Sequence, residues 1–186
     1  MSSYEERVEI FKDELNLIFN EKIKEFTKFC LMVAPDYFFT DCPASSSGKY
    51  HPIDELGADG TIIHTKKVFT VAYALCRALS CEEHRDEILA ACIIHDICKQ
   101  GMTKTGHTVK DHPELAAQLV KRVQDDTSYL SNDSFTIIHN SVFYHYGPWT
   151  IDKHRKDLKD YTPEELCVYL ADYTASKREL EVHYKR

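Results

Sequence analysis

Apolar residues recur along most of the chain at steps of three and four, the period of a helix with one buried face. Val8, Phe11, Leu15, Ile18, Phe19, Ile23, Phe26 and Phe29, with Glu and Lys between them, predict one long amphipathic helix over 3–33, ended by Pro35. From Asp41 to Gly60 the period lapses. Pro43, the run Ser45-Ser46-Ser47-Gly48, Pro52, Gly57 and Gly60 read as an irregular connection or lid. The period returns near Thr61 in a helix to Leu79 that carries Ile62, Val68, Phe69, Ala72 and Leu75, and again over Glu82–Ile97. A loop with Gly101 and Gly106 runs from Lys99 to Lys110. Asp111 then reads as an N-cap, with Pro113 in the first turn of a helix reaching Val123. A helix over Asp133–Tyr146 stops at Gly147-Pro148. Thr162-Pro163-Glu164-Glu165 has the form of a capping box and opens a last helix to about Lys177. Only the last few residues carry a weak strand pattern. The fold class is all-α: a helical bundle in one unit over 1–186, with an N-terminal helix (1–40) packing on it.

Size and composition fit one soluble unit of this kind. The chain has 186 residues, 43% of them hydrophobic and 28% charged, with a formal net charge of −7. That charge argues against a partner with a long phosphate backbone, so no long nucleic acid is expected. Small nucleotides remain acceptable where local cations or metals offset the repulsion. No apolar run approaches a membrane span, so no membrane partner is expected either. The seven cysteines show no CxxC spacing and no signal segment precedes them; they read as reduced thiols of a cytoplasmic protein.

Ten histidines are an excess, and several stand where helices are otherwise apolar. His95-Asp96 ends the run Ile88-Leu89-Ala90-Ala91-Cys92-Ile93-Ile94, and a carboxylate there needs a partner such as a divalent metal. His64 lies in an apolar-faced helix, His112 at a helix start and His145 at a helix end. Asp172 is set into Val168-Tyr169-Leu170-Ala171-Asp172-Tyr173. Each imidazole alone reads as a hydrogen-bonded or surface histidine; the set, brought together by packed helices, reads as a metal site.

His64, then His95-Asp96, then Asp172, in that order on successive helices, resembles the H…HD…D pattern of HD-superfamily phosphohydrolases. His95-Asp96-Ile97-Cys98-Lys99 is similar to the HDxxK form of the motif. Tyr144-His145-Tyr146-Gly147-Pro148-Trp149 and Leu170-Ala171-Asp172-Tyr173-Thr174-Ala175-Ser176-Lys177 look like segments of small bacterial and phage HD hydrolases. The resemblance covers roughly 60–178 and implies an HD core over 61–178 preceded by the connection 41–60. It implies a mononuclear site of His64, His95, Asp96 and Asp172, or a dinuclear one in which His112 and His145 join and Asp96 bridges. His139 rivals His145: six residues apart, the two point about 120° away from each other on a regular helix. The Gly147-Trp149 context favours His145, and His139 stays open as the alternative.

The ligand types suit Mn, Fe, Co, Ni or Zn, with Mg admissible and two ions expected. The resemblance also implies hydrolysis of a nucleotide or small phosphoester by metal-activated water, and a homo-oligomer among the partners. Asp96 and Lys99 are the candidate catalytic residues. Lys99 is one turn beyond His95 and could contact a phosphate; Lys177, Trp149 and His107 are the other substrate-binding candidates, and Lys67 a weaker one. A mononuclear deoxynucleotide phosphatase or triphosphohydrolase and a mixed-valent di-iron oxygenase of the same superfamily stay open as alternatives.

Overall fold

The structure, a computed structural model, describes residues 3–184. Among them the secondary structure is helical throughout. The α-helices are α1 (Tyr4–Ile10), α2 (Lys12–Leu15), α3 (Glu21–Val33), α4 (Tyr37–Thr40), α5 (Gly60–Ala78), α6 (Arg85–Ile94), α7 (His112–Thr127), α8 (Asn132–Tyr144) and α9 (Pro163–Ala175). Among the described residues no strand forms toward the C-terminal end, where the sequence carries a weak strand pattern; residues 185–186 lie outside the described residues.

The bundle is organised around α6. Every residue from Ile88 to Ile94 is fully buried, because α6 packs against α3, α5, α8 and α9 at once. That explains its continuous apolar run, since a helix covered on all sides has no polar stripe to show. α5 lies along α9, and α7 pairs with α8. All seven cysteines are free and buried, small apolar fillers of this core.

The long helix expected over 3–33 is three pieces. α1 is capped at Phe11 and α2 at Asn16, and the chain turns before Asn20, the N-cap of α3. Asn20 caps α3 with its own side chain, accepting from the Lys22 and Ile23 amides. Asp86, at the start of α6, accepts from the Phe19 and Asn20 amides at 2.9 and 2.7 Å. The apolar period runs on through the break because Phe11, Leu15 and Ile18 stay buried, while Phe19 turns out to solvent at 63% exposure. Arg7 is buried and donates to the Met32 and Ala34 carbonyls at 2.9 Å, so it serves the open C-terminal end of α3.

Other boundaries shift less. The helix expected over Glu82–Ile97 is a 3-10 turn at Glu82–His84 followed by α6, which ends at Ile94. The helix from His112 continues to Thr127, and Asp111 holds the N-cap position without a side-chain capping bond. Thr162 and Glu165 close the expected capping box reciprocally at 3.0 and 3.3 Å.

The segment 41–60 is irregular but not loose. Cys42 and Thr61 exchange backbone bonds with this loop, Ala44 donates to Glu55 at 2.9 Å, and a 3-10 turn spans Ile53–Glu55. Gly60 makes the fold-back feasible. A Cβ there would lie 1.9 Å from the Glu55 carbonyl oxygen, so only glycine lets Glu55 lie against the start of α5.

Candidate metal centre

Five helices deliver one residue or pair each to a single point. His64 projects from the second turn of α5, His95-Asp96 follow the last residue of α6, and His112 opens α7. His145 follows α8, and Asp172 lies in the penultimate turn of α9. His64, His95, Asp96, His112 and His145 are at most 1% exposed.

Three of the histidines are fixed in the same way. The Nδ1 atoms of His95, His112 and His145 lie 2.7, 2.7 and 2.6 Å from the carbonyls of Cys92, Val109 and Val142. A carbonyl can only accept, so each Nδ1 carries a proton and each ring turns its Nε2 inward, the atom such a ring offers to a metal. Those Nε2 atoms converge. His112 Nε2 is 3.1 Å from His145 Nε2, and both face Asp96 Oδ1 at 3.2 and 3.6 Å. His95 Nε2 lies 3.4 Å from Asp96 Oδ2. His95 Nε2 and Asp96 Oδ1 are buried with no hydrogen-bond partner. Two buried ligand atoms left without a partner at such a convergence call for one, and a cation is the partner that fits.

His64 is held differently. Its Nδ1 faces Glu55 Oε2 at 3.1 Å and its Nε2 faces Asp172 Oδ1 at 2.8 Å. Burial opposes charge on this ring, yet the Asp172 and Glu55 carboxylates push its pKa up to about 9. Both carboxylates are in turn held below the usual range against the effect of burial, Asp172 by His64 and Glu55 by His51 and His64. Asp96 is also held well below that range: burial opposes ionisation, but Lys99 and the surrounding imidazoles outweigh it. Three linked groups here have the spacing of metal ligands: His51, Glu55 and His64; His64, His95 and Asp96; and Asp96, His112 and His145. Asp96 belongs to the last two.

His139 sits away from this cluster, its ring against Phe135 and Phe143 and its Nδ1 beside Asn140. Lys67 is drawn away as well; it is buried and paired with Asp54 and Glu55 at 2.9 and 2.8 Å, so it is neither a surface charge nor a cavity residue. Lys99 is 6% exposed and ion-paired with Asp96. Burial would favour its neutral form, but Asp96 and Asp172 raise its pKa, and it stays charged.

A cavity of about 470 Å³ opens over the cluster, with Asp96, Lys99, His112, His145 and Asp172 in its wall. His107 lines it from an exposed loop. Trp149, 54% exposed rather than buried, stacks on Tyr173 with centroids 5.9 Å apart, and the Lys177 ammonium lies 3.7 Å from the Tyr173 ring centre. Gly147 sets this wall. Its φ is +56°, and a Cβ would meet the Tyr169 ring at 2.3 Å.

Sequence reasoning missed Glu55 and His51. Glu55 is fully buried and binds His51 Nδ1 at 2.6 Å, His64 and Lys67 together. The only signal was the four-residue spacing of His51 and Glu55 inside a stretch without helical period.

Curated proteins and solved structures returned no match to the chain. Residues 61–177, well over half of the chain, match the HD domain family. That span contains all six clustered residues and leaves Glu55 and His51 just outside it. The chain thus belongs to the HD domain family, an all-α superfamily of metal-dependent hydrolases whose members bind divalent metals.

Proposed function

We propose that the protein is a dinuclear metal-dependent phosphohydrolase or phosphodiesterase acting on a nucleotide or another small phosphoester. One observation carries the reading: the Nε2 atoms of His112 and His145 converge on Asp96 Oδ1 within 3.6 Å, an oxygen buried without a hydrogen-bond partner. These three residues would hold one ion, and His64, His95, Asp96 and Asp172 the other. Divalent ions bound there would supply Lewis acidity toward phosphoryl oxygens and lower the pKa of a water.

The chain's own groups do the rest. Asp96 contributes a carboxylate common to both ligand groups and keeps them in register. Lys99 holds a positive charge at the cavity wall, where a phosphoryl oxygen can accept from it once the substrate competes for its pairing with Asp96. Lys177 and His107 add cationic or donor groups at the mouth, which offset the overall charge of −7 for an anionic substrate. The Trp149–Tyr173 stack offers an aromatic face suited to a base. Seven free thiols favour a reducing, cytoplasmic setting, and no helix among the described residues is long and apolar enough to cross a membrane.

The test is a metal-by-substrate screen: Mn, Co, Ni, Fe and Mg against bis-p-nitrophenyl phosphate, p-nitrophenyl phosphate and a nucleotide panel, with metal content measured in parallel. Turnover that needs two ions per chain and disappears on chelation is the expected result. A coupled mixed-valent iron resonance without phosphatase activity would replace hydrolysis by the oxygenase reading. Full activity at one ion per chain would reduce the centre to the mononuclear type.

A further inference from the structure

A second cluster of ligand atoms lies away from the histidine centre, on α9 and at the C-terminal end of α5. Cys76, Cys81 and Cys167 bring their sulfurs within 4.8 Å of one another, and all three are at most 1% exposed. The local fold explains the first pair. α5 ends in a tight left-handed turn at Ser80, whose φ is +56°, and the Cys81 amide bonds back to the Cys76 carbonyl at 3.0 Å. In such a helix end the residue two past the cap lies against the residue three before it, so the turn itself presses Cys81 onto Cys76. α9 packs along α5 and adds Cys167, with its sulfur 4.0 Å from that of Cys76.

We propose that Cys76, Cys81 and Cys167 form a three-thiolate site for a thiophilic d10 cation, copper(I) or zinc, that ties the end of α5 to α9. An ion bonded to three sulfurs at about 2.3 Å holds them about 4 Å apart, which is the Cys76–Cys167 separation. Thiolates select such cations over the harder ions that suit carboxylate and imidazole. Binding is not a redox step: each thiol that becomes a ligand releases its proton to solvent, and three metal–sulfur bonds form.

Hydrogen bonding leaves these sulfurs available. Apart from one another, Cys81 and Cys167 reach the Cys76 and Ala72 carbonyls, at 3.5 and 3.7 Å, and a thiol is a weak donor at best. Other cysteines of the core have different partners: Cys42 accepts from Thr61, and Cys98 lies against the Met102 sulfur. The site is independent of the histidine centre. Cys76 is twelve residues beyond His64 on α5, about 18 Å along the helix axis.

The experiment uses the full chain produced in copper-, zinc- or cadmium-supplemented medium, so that the buried site loads during folding, and purified without oxygen. X-ray absorption and near-ultraviolet charge-transfer bands report metal–sulfur bonds. The histidine centre offers only nitrogen and oxygen, so its occupancy does not contribute to that signal. The proposal expects one equivalent of metal with a sulfur shell at about 2.3 Å, lost in Cys76→Ala, Cys81→Ala or Cys167→Ala and kept in Cys98→Ala. Loading should raise Tm by several degrees in the wild type and not in Cys81→Ser, which leaves α5 and α9 intact. Absence of a sulfur shell, a shell that survives Cys76→Ala together with Cys167→Ala, or a Cys76–Cys167 disulfide in the purified chain would overturn it.

Discussion

The two ends of the histidine centre, His112–His145 and His64, are built by opposite means, with His95 between them held by a backbone carbonyl like the first. On the His112–His145 side, each ring is oriented by the carbonyl three residues before it, so the support is backbone and local. On the His64 side, the ring is clasped between Glu55 and Asp172, two side chains from segments 9 and 108 residues away. The first half turns Nε2 atoms toward Asp96; the second sets its imidazole between two carboxylates, which raise its pKa. Support from the backbone cannot be removed by substituting a side chain, whereas support from a carboxylate can. The His64 half is therefore the adjustable one.

The largest effect should come from the residue that both halves share. Asp96→Ala leaves the His95, His112 and His145 Nε2 atoms facing one another and Lys99 without its partner. Loss of both ions by elemental analysis and a fall in turnover of about 10³-fold or more are expected. Retention of one tightly held ion would mean that the halves are not joined through Asp96.

Next, His145→Ala or His112→Ala should cost one ion per chain and about 10²-fold or more in turnover. His139→Ala, a turn and a half earlier on α8, should leave metal content unchanged, because its ring packs against Phe135 and Phe143. Glu55→Gln is the sharper probe of the comparison. It keeps the volume but removes the carboxylate that orients His64 and pairs with Lys67. Metal affinity should fall about 10- to 100-fold on the His64 side alone, read by titration against a chelator. An equal fall on both sides would erase the distinction between them.

Stability separates the halves less strongly. Gly147→Ala places a methyl into the Tyr169 ring at a backbone angle that favours glycine, next to the His145 turn. A loss of about 1–3 kcal/mol is expected, seen as a Tm lower by roughly 3–10 °C.

The same contrast governs what was legible in the sequence. His95-Asp96, His112, His145 and Asp172 stand out because each interrupts or ends an apolar helix, and the helices themselves follow from their period. Glu55 and His51 do not stand out. They lie in a segment whose order comes from backbone bonds to Cys42, Ala44 and Thr61, and no period records those. The break between α1 and α3 was hidden for a related reason. Asp86, which holds the turn from 66 residues away, leaves no local mark beside Asn20, and buried Phe11, Leu15 and Ile18 carry the period across the gap.

The smallest effect is expected where the two halves meet at the cavity mouth. Trp149 follows His145 by four residues and Tyr173 follows Asp172 directly, so their stack links the wall of one half to that of the other. Neither ring belongs to the metal cluster, and Trp149 is already half exposed, so its removal should leave metal content and Tm nearly unchanged. An aromatic contact of this kind contributes about 0.5–1.5 kcal/mol, so Trp149→Ala should raise KM by about 2- to 10-fold for a substrate that carries a base, with kcat little altered. Trp149→Phe should recover most of that loss, since a ring face is what the site supplies. An unchanged KM for nucleotides, alongside an unchanged KM for p-nitrophenyl phosphate, would show that the substrate makes no use of the stack. A fall in kcat with metal content intact would show instead that the stack holds the two halves in register, which would make the mouth part of the centre rather than its boundary.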